Sequence, residues 1–165
     1  MIHPIILLVL GTFMFVLPFI YRRSGKLWSR FYLAMAGREE NRKRYVLVLS
    51  VLILSVNFLQ YRISGPSLWL IPGFVTGLLT LKFRFMDAVL RWLRRDRMLK
   101  YFALAFFFLT SMDGRLFTLA VAFALIIDFS FFYPSRLIIE MARRKPEVTA
   151  GFDNELLATF YFFFL

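Results

Sequence analysis

The sequence predicts an all-α integral membrane protein of about five transmembrane helices, with two interfacial amphipathic helices on the cytoplasmic side. Three observations carry this. Apolar residues make up 60% of the 165 positions, above the roughly 45–50% usual for soluble chains. Lys and Arg number 21 against 10 acids, a net charge of +11. The two kinds of residue are segregated: long apolar runs alternate with arginine-rich ones. A chain both greasier and more charged than average keeps the two apart when a bilayer is one of its solvents. Residues 1–165 read as a single polytopic membrane domain.

The apolar runs place the spans. A helix needs about 20 apolar residues to cross a hydrocarbon core roughly 30 Å thick, with a range of about 17–25. Residues 2–21 meet that length, and 45–61 meet it at the short end. Residues 67–81 are shorter and contain Pro72, Gly73 and Gly77. Residues 99–112 are also short, and Lys100 joins them by extending its ammonium to the interface. Residues 116–133 fit and enclose Asp128. No Lys or Arg precedes Ile2–Tyr21, while Arg22, Arg23 and Lys26 follow it. A secretory signal peptide has the opposite order; this one predicts an uncleaved anchor with its N-terminus outside.

The connections test the count, because basic loops stay in the cytoplasm. Five spans with an outer N-terminus and an inner C-terminus put 19 of the 21 basic residues inside. Only Arg62 and Arg115 fall outside. A re-entrant hairpin at 67–81 would move the next basic loop out, which is why a short run is accepted as a span.

Two basic segments have helical periodicity of their own. In 26–36, Leu27, Trp28, Phe31, Tyr32 and Met35 share a face, with Arg30 opposite and Gly37 as a stop. In 82–97, Phe85, Met86, Val89, Trp92 and Leu93 form an apolar side, and Arg84, Asp87, Arg91, Arg94 and Arg95 the other. Asp87 precedes Arg91 by four, the favourable order for a helical ion pair. An aromatic face backed by arginine is the pattern of a helix lying in the membrane interface. Trp28 and Trp92 read as interfacial anchors. Arg22, Arg23, Arg30, Arg84, Arg91, Arg94 and Arg95 read as groups for anionic lipid headgroups or an acidic partner. Span, basic helix, span thus occurs twice. An amphipathic tail over 153–165 follows, with Asp153 as its cap and a Phe-rich end.

Candidate functional residues are few. Asp128 is the one acid well inside an apolar segment; burial there is costly unless it is paired or protonated. It reads first as half of an ion pair with a loop arginine, and second as a site that couples to a cation or proton. Gly73 and Gly77, and Ala120 and Ala124, are small residues four apart, the spacing that lets helix backbones approach closely. They read as packing inside the protein before self-association. Pro72-Gly73 is the one candidate for a broken helix. Asn57 and Gln60 read as interhelical packing groups, and Asp113-Gly114-Arg115 as a tight outer turn.

Other chemistry is missing from the sequence. There is no cysteine and a single histidine, His3. That excludes disulfides, thiol catalysis, Cys-ligated metals and a multi-His site within one chain. No nucleotide-binding, zinc-protease, hydrolase-elbow or calcium-loop motif occurs. No catalytic residue, metal or cofactor is expected. The basic charge is explained by topology and lipid rather than nucleic acid. The expectation is a non-enzymatic accessory or scaffold subunit of a larger inner-membrane complex, with anionic lipids and other membrane proteins or a second copy as partners. The alternatives are a small transporter or lipid-handling protein, and a membrane immunity or exclusion protein.

Overall fold

The computed structural model describes residues 5–13, 16, 31, 34–136 and 139–140. Every regular element among the described residues is helical, and none is a strand. Residues 5–13 are helical. Beyond them lie α1 (Glu39–Ser64), α2 (Ile71–Thr80), α3 (Phe83–Arg95), α4 (Arg97–Met112) and α5 (Phe117–Phe131). Short 3-10 turns occupy Leu68–Leu70 and Gly114–Leu116.

Local chemistry sets the ends of these helices. Glu39 and Glu40 open α1 and Arg62 lies in its last turn, each charge matching the helix dipole. Gly65 ends α1 at φ 73°, its N–H donating to the Tyr61 carbonyl at 2.9 Å. A side chain at that φ is strained by about 1–2 kcal/mol, so glycine suits the position. Ser67 starts the next turn by accepting from the Trp69 N–H. Pro72 sits in the first turn of α2, where a missing N–H leaves no hydrogen bond unmade. Pro72-Gly73, the alternative place for a broken helix, lies at the beginning of a continuous one. The chain bends elsewhere: α2 and α3 meet at 99° across Leu81 and Lys82. The basic helix expected over 82–97 stops at Arg95. Asp96 is extended, and its carboxylate accepts from the Met98 N–H at 2.9 Å, capping α4. Asp113 caps the outer turn in the same way through the Arg115 N–H.

The contacts fix the relative directions. Tyr45, near the start of α1, stacks on Phe129, near the end of α5. Farther along α1, Asn57 approaches Gly73 of α2 and Thr118 of α5. So α1 runs antiparallel to both α2 and α5. Lys100, at the start of α4, lies over the ring of Phe131 at the end of α5. At the opposite end of the bundle Arg115 lies over Trp69.

α5 is the centre. α1, α2, α3 and α4 all pack on it, and none of its residues is exposed. Val46, Leu49 and Ile53 of α1, Met86, Leu90 and Leu93 of α3, and Ala122 and Ile126 of α5 form one core. Phe107, Ala120, Ala124 and Ile127 form a second, against which Leu7 and Leu10 pack. The outer helices turn large apolar side chains outward, among them Val51 and Phe58, Phe74 and Leu78, Phe102 and Leu109. A helix apolar on all sides belongs at the centre of such a bundle. Contiguous apolar surface outside it matches hydrocarbon rather than water.

Among the described residues two helices are long and apolar enough to cross a membrane: α1, and residues 114–131 including α5. The bent pair α2–α3 makes a third if it is one span. This is fewer than the five expected. The physical reason is length. The 10 residues of α2 extend about 15 Å at 1.5 Å per residue, half of a typical core, and residues 98–112 form only a shorter apolar helix. Half of the expected span 2–21, most of the helix 26–36 and the whole tail 153–165 lie outside the described residues.

Two glycines set how closely α2 approaches its neighbours. A Cβ on Gly73 would sit 2.5 Å from Thr118 Oγ1 and 2.7 Å from Asn57 Oδ1. A Cβ on Gly77 would meet Leu54 Cδ2 at 2.7 Å. Gly73→Ala should destabilise the fold by roughly 1–3 kcal/mol, the usual range for overpacking. Gly77→Ala should do less, because the end of Leu54 can rotate away. Gly114→Ala, with nothing within 4 Å, should melt like the parent. Thermal unfolding of the three variants in one detergent checks the order.

Candidate functional site

The polar side chains collect at the end of the bundle where α1 begins and α5 ends. A helix C-terminus leaves carbonyls unpaired and carries partial negative charge. Arg94 of α3 meets that need: its Nη1 donates to the carbonyls of Phe131, at 3.3 Å, and Tyr133. Tyr133 is fully buried, and its hydroxyl donates to Asp87 Oδ1. The other Asp87 oxygen pairs with Arg91 Nη2, while Arg91 Nε donates to the Asp87 carbonyl at 3.1 Å.

α1 completes this hub. The Tyr45 hydroxyl donates to the Phe129 carbonyl at 3.1 Å. Its ring lies 4.7 Å from that of Phe129 and 6.1 Å from that of Tyr133. Arg42 is buried and donates to the carbonyls of Met35 and Ala36 at 3.0 and 3.1 Å, closing the helical residues 34–37. Three helices are thereby pinned at one end by hydrogen bonds that reach across the fold.

The arginines expected to face lipid headgroups divide into two groups. Arg91 and Arg94 are half-buried and turned to partners within the protein. Arg84 and Arg95 are exposed, as is Trp92. Arg22, Arg23, Arg30 and Trp28 lie outside the described residues. Asp87 and Arg91 form the ion pair their spacing predicts. Arg42, Tyr45 and Tyr133 escaped sequence reading. Arg42 sits in a basic run that a topological signal explains, and the partners of both tyrosines are distant in sequence.

Asp128 lies on α5 above this hub and is buried. Its Oδ1 has no hydrogen-bond partner, and the carboxylate is in no ion pair, among the described residues. Among the described residues no arginine pairs with it: Arg91 and Arg94 are turned to Asp87 and to the end of α5. Ala120 and Ala124, on the same helix, are fully buried against Phe107 and Ile127. Toward the other end, Asn57 Oδ1 and Thr118 Oγ1 are likewise buried and unbonded, both directed at Gly73. The Cα–H groups of Gly73 are the donors placed to meet them, as weak hydrogen bonds at a close helix crossing. Among the described residues no three of His, Asp and Glu gather as a metal would require.

Comparison with known protein families, with curated proteins and with solved structures finds nothing that matches this chain.

Asp87→Asn should release both Arg91 and Tyr133 and lower stability by about 1–3 kcal/mol, the range for a broken buried hydrogen bond. Arg84→Gln should leave stability unchanged. Tyr133→Phe combined with Asp87→Asn should cost less than the two single changes added together. Unfolding measured across this set checks the hub; strict additivity would show that Tyr133 and Asp87 do not act together.

Proposed function

We propose that this chain is a small polytopic inner-membrane protein that serves as an accessory or scaffold subunit of a larger membrane complex. The observation that carries the reading is the division of its surface. α5 is enclosed, while α1, α2 and α4 present apolar side chains outward along their lengths. Such faces are the area available for another membrane helix, and packing there is driven by shape and small residues rather than by water.

In this reading the chain has about five spans, with the N-terminus outside and the C-terminus in the cytoplasm. Support comes from the ends of the bundle. α2 and α4 run between the same two ends as α5, short as they are, and local thinning of the bilayer accommodates them. The hub end carries Lys82, Arg84, Arg91, Arg94, Arg95 and Lys100, whereas the opposite end has Arg62 and Arg115. That asymmetry follows the positive-inside rule.

The absence of native cysteine makes the topology directly testable. Gly114→Cys should react with an impermeant thiol reagent from outside intact cells, and Arg95→Cys only after the membrane is opened. The reverse pattern would overturn the orientation. For the scaffold role, gentle extraction of the tagged chain should co-isolate a membrane protein in fixed ratio or a defined oligomer. A monodisperse monomer would count against it.

A second reading, a small transporter or lipid-handling protein, is favoured by the buried Asp128 Oδ1, which has no hydrogen-bond partner among the described residues. It requires Asp128→Asn to abolish proton or ion flux in proteoliposomes while native mass and melting stay unchanged. Loss of assembly instead would make Asp128 a structural residue.

A further inference from the structure

α3 has two apolar sides rather than one. Met86, Leu90 and Leu93 are buried against the core. Phe85 and Trp92 lie seven residues apart, about two turns, so they share another face, and they are 50% and 67% exposed. Beside that pair run Arg84 and Arg95, eleven residues or three turns apart, both exposed. The single acid within α3, Asp87, is turned inward to Arg91 and Tyr133, and the exposed Asp96 that follows Arg95 has its carboxylate on the Met98 N–H, so the outward face of α3 keeps a net positive charge. The 99° bend after α2 lays α3 across the end of the bundle instead of along it.

We propose that the outward face of α3, with Phe85 and Trp92 flanked by Arg84 and Arg95, binds the headgroup phosphates of anionic phospholipids. The proposal rests on the membrane reading above. It separates these two arginines from Arg91 and Arg94, which hold the fold. The two rings enter the boundary between headgroups and acyl chains, and the arginines meet the phosphates at that depth. Arginine suits this contact because its planar fork takes phosphate oxygens in pairs. An arginine stripe next to an aromatic stripe, on a helix lying in the surface plane, is complementary to a negatively charged lipid layer. An acidic protein would need an apolar patch set beside its carboxylates to cover the rings, whereas an anionic lipid layer supplies both at one depth.

The test uses Trp92 as the reporter. The full chain carrying Trp28→Phe and Trp69→Phe is reconstituted in phosphatidylcholine bilayers. A minor share of the lipid has brominated chains, on either phosphatidylglycerol or phosphatidylcholine. Brominated phosphatidylglycerol should quench Trp92 several-fold more than its zwitterionic counterpart at equal share. Arg84→Gln with Arg95→Gln should remove the difference, and Arg84→Lys with Arg95→Lys should restore part of it. Added salt should weaken the preference. Equal quenching by the two lipids would overturn the proposal and leave the face to an acidic protein. A second reporter, Leu109→Trp on outward-facing α4 with all native tryptophans replaced by Phe, separates the two levels. If neither lipid quenches it, the membrane reading itself fails. If both quench it and Trp92 shows no preference, the headgroup site alone fails.

Discussion

The carbonyls left open where α5 ends are the constraint around which this structure is arranged. A buried carbonyl left unpaired costs about 1–3 kcal/mol. Arg94 reaches the Phe131 and Tyr133 carbonyls from α3, and Tyr45 reaches the Phe129 carbonyl from α1. To deliver Arg94 there, α3 must lie across the end of the bundle. The 99° bend supplies that path, and the Asp87 contacts to Tyr133 and Arg91 hold the helix in register. One local requirement of one helix end thus accounts for the position of α3, for the burial of Tyr133 and for the inward turn of two arginines.

Local chemistry was legible in the sequence, and distant pairing was not. The Asp113 turn, the Asp87–Arg91 pair and the amphipathic character of α3 rest on residues within a turn or two of each other. Periodicity and spacing reveal such features. Gly73 and Gly77 also stand out by spacing, although spacing alone does not say what they approach. The links from Arg94 to Tyr133 and from Tyr45 to Phe129 cross 39 and 84 positions, where no period exists to betray them. Pro72 was ambiguous for a different reason: a proline within an apolar run suits either a break or a helix start, and the Ser67 turn ahead of it belongs to a start. Run length alone separates α1 and residues 114–131 from the shorter helices.

The unbonded buried oxygens are distributed in an informative way. Asn57 and Thr118 both face Gly73, so the structure offers them Cα–H donors at a crossing that any side chain would block. Asp128 has no such company among the described residues, and a carboxylate loses more on burial than an amide or a hydroxyl does. The first two oxygens therefore belong to helix packing, while the third marks the place on α5 where packing alone does not explain the residue.

The enclosed position of α5 also bears on how the protein is made. Of the described helices it leaves the ribosome last, yet all the others pack on it. During synthesis α1, α2, α3 and α4 are therefore all made before the helix on which they pack. Gly73 lacks the Thr118 half of its contact, and Arg94 has no helix end to close. Both contacts can form only once α5 exists, so the packing of the earlier helices is completed by the later part of the described chain.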